Sequence, residues 1–195
     1  VMYTMNPDPM RGLNAVVAKR LQACKGVACL GWQQESMPKL LADTVSDALS
    51  ASWLPIDDLL MRQQMKKDAD EVAMLQKAIN TNLRAYDRVQ EVIAPGVNEL
   101  DVLAAGQQAA LHAAEYVLHH GGDYQCGELG GPARDRVIQA GELYVIDAQT
   151  EYHGYWSDLC RTFAVSEPTD LQVSVYEVLK AILEDIPNLV KPGSK

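Results

Sequence analysis

Apolar residues spaced three or four apart mark a series of amphipathic helices along the chain. Between residues 9 and 25 the stripe is Leu13, Val16, Val17 and Leu21, closed by Gly26. Between 37 and 49 it is Leu40, Leu41, Val45, Ala48 and Leu49. A short buried-strand pattern follows each, at 27–32 and at 53–56. This helix, strand, helix, strand order up to about residue 60 suits a small α/β unit. Residues 61–71, MRQQMKKDADE, are polar without Gly or Pro and predict a connector that runs into the next helix.

That helix is longer. Asp68 or Asp70 can cap it, and Val72, Leu75, Ile79, Leu83, Tyr86, Val89 and Ile93 form its stripe before Pro95-Gly96 stops it. Asn98 opens another helix, predicted to run through an alanine-rich stretch to about His119, where Gly121-Gly122 ends it. His119-His120 then falls at a helix C-terminus, where a solvent-facing pair favoured by the helix dipole is expected. Residues 121–136 hold five glycines and a proline and predict a loop with room for one short extended piece. Strands are expected at 137–138, 143–149 and 154–165, the last two as a hairpin.

From Thr169 the helical period returns with Val175, Leu179, Leu183, Ile186 and Val190, and the stretch ends LVKPGS where the earlier helix ended VIAPGV. A shift of 97 residues lays Pro95-Gly96 on Pro192-Gly193, Tyr86 on Leu183, Val89 on Ile186 and Ile93 on Val190. This is a candidate internal repeat.

The hairpin carries the candidate chemistry. It reads LYVIDAQTEYHGYWSDLCRTF, with Asp147 and Asp158 in a run of strand-forming residues. With Tyr152-His153 at the tip, Glu151 faces Gly154 and, counting outward, Asp147 faces Asp158, so their Cβ atoms are expected about 5 Å apart. Like charges so placed repel. The two carboxyls can share a proton, be separated by solvent, or hold a cation, and an ordinary surface hairpin with two unrelated acids is the plain alternative.

Composition narrows the classes. The net charge is −9, with a pI near 4.8 and no basic cluster longer than Lys66-Lys67, which argues against a nucleic-acid partner. No apolar run is long enough to span a bilayer, and the opening residues lack the order of a signal peptide, so no membrane partner and a cytoplasmic location are expected. The opening VMYTMNPDPM suggests an internal or processed start. Cys24, Cys29, Cys126 and Cys160 are too sparse for a disulfide scaffold or a zinc site; reduced thiols are expected, with Cys126 and Cys160 inert.

Beyond these readings, GYWSD followed by RTF, the preceding RDRVIQAGEL, and KKDADEVAMLQKA and IAPGVNELDV upstream together resemble the M24 metallopeptidases. That family includes Xaa-Pro aminopeptidase, prolidase, methionine aminopeptidase and creatinase. The resemblance covers about 66–195 and implies an α+β fold, the first half of a pita-bread fold over 61–195, preceded by a remnant of a creatinase-type N-terminal α/β domain over 1–60. It also implies two divalent metals, Mn, Co or Zn, held by two Asp, one His and two Glu. Asp147 and Asp158 match the two Asp, with Asp158 bridging both metals and Asp147 holding one.

The implied activity is that of an Xaa-Pro aminopeptidase or dipeptidase acting on peptides with proline second, as a homodimer. The family's His and two Glu lie beyond Asp158, and His112, His119, His120 and His153 cannot match the His in sequence order. The chain by itself is therefore expected to be inactive. Gly130-Gly131 stands where relatives have a substrate-contacting His, Gln149 where they have Gly, and Glu142 where they have Asp. A non-catalytic pita-bread binding protein and a creatinase-like C–N hydrolase are the alternatives. Arg161 is expected near Asp158 or in a structural pair across the sheet.

Overall fold

The structure is a computed structural model that describes residues 8–24 and 26–193. The chain divides into two compact units, Val1–Lys67 and Asp68–Lys195. In the first, α1 (Pro9–Leu21), β1 (Cys29–Trp32), α2 (Lys39–Ala48) and β2 (Ser52–Pro55) follow the expected order, and β1 and β2 pair in parallel from Cys29 opposite Ser52 to Trp32 opposite Pro55. The Trp32 and Trp53 rings meet edge to face at 5.0 Å. Residues 61–65 are not a connector: α3 (Asp57–Met65) crosses residue 60, with Asp57 and Asp58 in its first turn where carboxylates favour helix starts.

The second unit contains α4 (Ala69–Val92), α5 (Glu99–Ala114), a three-stranded antiparallel sheet and α6 (Asp170–Leu189). The strands β3 (His120–Cys126), β4 (Leu143–Tyr152) and β5 (Tyr155–Ala164) lie side by side in chain order. Side chains alternate across a sheet, and burial follows that alternation. Tyr144, Ile146, Ala148 and Thr150 of β4 are buried, whereas Val145, Asp147 and Gln149 are half-buried or exposed. The buried face forms one core with Tyr86 and Val89 of α4, Val102 of α5, and Tyr124 and Cys126 of β3.

Three expectations are corrected here. The short extended piece allowed for in 121–136 is a full seven-residue strand, His120–Cys126, and α5 stops at Ala114, where Glu115 turns left-handed (φ +63°), well short of His119. The His119-His120 pair therefore does not sit at a helix C-terminus. His120 is buried in β3 between the Thr150 hydroxyl (2.7 Å) and the Tyr124 hydroxyl (2.8 Å), while His119 is exposed, 5.3 Å from the Trp156 ring. Gly122 explains why the strand is concealed in the sequence: a Cβ there would lie 2.1 Å from the Asp147 carbonyl oxygen, so only glycine permits this approach. Finally, 137–138 is no strand but an isolated bridge between Asn98 and Val137.

Glu99, fully buried at the start of α5, ties the loop after β3 to the helix. Its carboxylate accepts from the backbone N–H of Cys126 and of Arg134 and from the Arg134 guanidinium at 2.7 and 3.0 Å. Burial alone would raise its pKa, but these donors hold it below the ordinary carboxylate range. Glu142 is likewise drawn down to about 2, chiefly by its hydrogen bonds with Arg136.

Candidate metal centre

The sheet face turned away from α4 and α5 carries Asp123 and Gln125 from β3, Asp147 and Gln149 from β4, and Asp158 and Cys160 from β5. Both predicted ligands therefore lie on one face. They are not direct cross-strand partners, which corrects the expected register: Asp147 is opposite Cys160, and Asp158 is opposite Gln149, its carboxylate 3.5 Å from Gln149 Nε2. The physical reason is the turn. Its two tip residues are His153 (φ +48°) and Gly154 (φ +87°), both left-handed as a tight two-residue hairpin turn demands, with Tyr152 opposite Tyr155. The tip sits one residue later than the sequence suggested, so the acids become diagonal neighbours.

Diagonal neighbours have Cα atoms about 7–8 Å apart and are still within side-chain reach. The Asp147 carboxyl has its pKa raised, first by burial, then by a hydrogen bond with Asp158 and by the charges of Asp158 and Asp123. The two acids are thus diagonal neighbours close enough to influence each other's charge. Asp123, directly opposite Asp147 on β3, is a third acid on this face. It escaped sequence reasoning because its strand read as loop; the signal that could have found it is the alternation of Tyr124 and Cys126 with Asp123 and Gln125.

Two carboxylates offer the hard oxygen donors that Mg, Mn and related divalent ions accept, and their mutual repulsion is what a cation would relieve. These residues fit part of such a centre. Among the described residues no group of three or more His, Cys, Asp or Glu side chains could hold a metal ion. His120 sits in the core face, and His153 lies in the turn, stacked on Tyr116 at 4.5 Å.

Cys160 borders the acids, and burial followed by the Asp147 charge raises its thiol pKa, which keeps it protonated. Cys126 is pushed up to about 12, mainly by burial. All four cysteines are free. Arg161 donates to its neighbour's carbonyl, Cys160 O, at 2.6 Å. At Gly130 (φ +147°) a Cβ would lie 2.5 Å from Asp123 Oδ2, so the loop backbone packs directly on the third acid.

The chain is 27% identical over 161 residues to an uncharacterized peptidase, YqhT, of Bacillus subtilis, covering 79% of this chain and 45% of that protein. It is 29% identical over 164 residues to the probable dipeptidase PepE of Mycobacterium tuberculosis, covering 82% and 44%. Among solved structures, the X-Pro aminopeptidase of Thermotoga maritima superposes with a TM-score of 0.73 at 23% identity, covering 89% of this chain and 49% of that one. Proline aminopeptidase P II of Yersinia pestis gives 0.74 at 20%, covering 90% and 43%. The chain spans about half the length of the relatives it matches. The fold is that of the first half of a pita-bread aminopeptidase. Residues 73–195 match the sequence profile of metallopeptidase family M24, and the chain belongs to that family.

Proposed function

We propose that this chain supplies the first half of the catalytic unit of an Xaa-Pro-type aminopeptidase or dipeptidase, in which Asp147 and Asp158 hold two divalent metal ions. The observation that carries this reading is the placement of the two acids as diagonal neighbours on the open sheet face, within the segment that matches the family. Asp158 would bridge the ions and Asp147 would hold one. The bound metals, Mn, Co or Zn, would supply a polarised water and stabilise charge on the scissile carbonyl. The chain's own residues bring the two acids together, keep Asp147 partly shielded from water, and hold the loop bearing Gly130 against Asp123. In this reading residues 1–60 are a remnant of a creatinase-type N-terminal domain, the substrate is a peptide with proline second, and the protein acts as a cytoplasmic homodimer.

The test is hydrolysis of Xaa-Pro peptides by the full-length protein with Mn²⁺ or Co²⁺. Asp158→Asn is expected to abolish it, and retained activity in that variant excludes the assigned role. A second reading, a non-catalytic binding platform on the same fold, is favoured by Gly130, which stands where the resemblance implies a substrate-contacting His and where a Cβ would meet Asp123 Oδ2 at 2.5 Å. Calorimetric titration separates the two, since tight uptake of two Mn²⁺ ions eliminates the platform.

A further inference from the structure

The side of the hairpin opposite the acids is held by two polar residues of α4. The Tyr86 hydroxyl accepts from the Ala148 N–H at 3.3 Å and lies within hydrogen-bond reach of the Ile146 carbonyl, at 3.0 Å, and of the Leu159 carbonyl. One turn earlier, Asn82 donates to the Ala148 carbonyl at 2.7 Å. Both backbone polar groups of Ala148 are thus bonded to α4 side chains.

The placement of these contacts is specific. Ile146 and Ala148 flank Asp147, Leu159 follows Asp158, and the register pairs Ala148 with Leu159 on the rung between the two acids. A phenol carries one proton, so while accepting the Ala148 N–H it donates either to the Ile146 carbonyl on the same strand or to the Leu159 carbonyl, and in the second case it bridges the two strands at that rung. Burial raises the Tyr86 pKa, so the hydroxyl keeps that proton at physiological pH.

We infer that Tyr86, supported by Asn82, is a positioning residue that fixes the β4–β5 rung between Asp147 and Asp158 and so sets how their carboxylates lie relative to each other. The inference rests on the metal reading above. The test compares wild type, Tyr86→Phe and the core control Val89→Ala in the full-length protein, by Mn²⁺ calorimetry, thermal unfolding and amide exchange at Ala148. Tyr86→Phe keeps the ring and removes the bridge; it is expected to weaken Mn²⁺ binding about tenfold, as loss of a supporting group around metal ligands does, and to speed exchange at Ala148. Val89→Ala is expected to lose stability while binding Mn²⁺ like wild type.

Should Tyr86→Phe fail to fold, Asn82→Ala is expected to weaken binding in the same direction by a smaller factor. Unchanged Mn²⁺ affinity in the folded variant, or equal weakening by Val89→Ala, overturns the positioning role. Wild type that binds no Mn²⁺ overturns the metal reading and this inference with it, a result distinct from either of those.

Discussion

α4 and α6 start and stop in the same way and end in opposite circumstances. Each opens with a reciprocal cap: the Asp68 N–H donates to Glu71 at 2.8 Å, and the Thr169 N–H donates to Gln172 at 2.8 Å. Each leaves through an extended residue into a Pro-Gly turn, with Gly96 at φ +92° and Gly193 at φ +91°. Yet α4 buries Ala78, Thr81, Asn82, Ala85, Tyr86 and Val89, while their counterparts 97 residues on are exposed, from Ile186 at 40% to Leu183 at 66%. Among the described residues none of α6 is buried, and only Gln172 in its first turn is half-buried, donating to the Gly141 carbonyl at 3.2 Å. Helix termini are decided by local chemistry and burial is not, so the two helices match where they begin and end even though one face is bare. The faces differ in kind as well. Thr81, Asn82 and Tyr86 give the packed stripe hydrogen-bonding groups; Val178, Leu179 and Leu183 give the bare one none.

The strongest way to break this comparison is a charge in each stripe. Val89→Asp buries an unpaired carboxylate and is expected to cost more than about 4 kcal/mol. Ile186→Asp is expected to stay within about 0.5 kcal/mol by urea unfolding; equal losses would mean that α6 is packed in solution.

Next in size is a pH effect confined to the packed layer. Burial holds His120 down to about 4 from an ordinary 6.5. A depressed pKa means that protons bind the unfolded chain more readily, so the contribution is complete above 6.5 and is lost as pH falls from there towards 4. About 2 kcal/mol should be gone by pH 5. Urea midpoints measured between pH 7 and 5 test this, with His120→Asn expected to flatten the slope.

The smallest effect concerns the caps. Thr169→Ala removes about 1 kcal/mol of local helix stability. Because α6 is unpacked, the loss should appear as faster amide exchange in its first turn with an unchanged global midpoint.

Most elements were legible because their signals are local. The Pro-Gly stops, the cap at Asn98 and the stripe through Tyr86 and Val89 are properties of neighbouring residues, and both acids fall on one face because strand alternation combines with a two-residue turn, whether its tip is Tyr152-His153 or His153-Gly154. What escaped depends on distant partners. β3 was concealed because Gly122 is required by the Asp147 carbonyl, which is remote in sequence, and glycine otherwise signals a break. The hairpin register was missed by one residue at each side of the tip because His153 adopts a left-handed conformation more often taken by Asn or Gly. The role of α4 behind the acids was hidden too, because Tyr86 fits an apolar stripe as well as it fits a hydrogen bond.

The His153-Gly154 turn also acts as the indexing mark of the acid face. Its two-residue length decides which parity of β5 looks outward. One residue inserted at the tip, with the two-residue turn kept so that β5 slips by one position against β4, would send every later side chain to the opposite surface, Asp158 into the helix layer and Leu159 into water. The smallest loop in the second unit is therefore where the chemistry of β5 is least tolerant of a change in length.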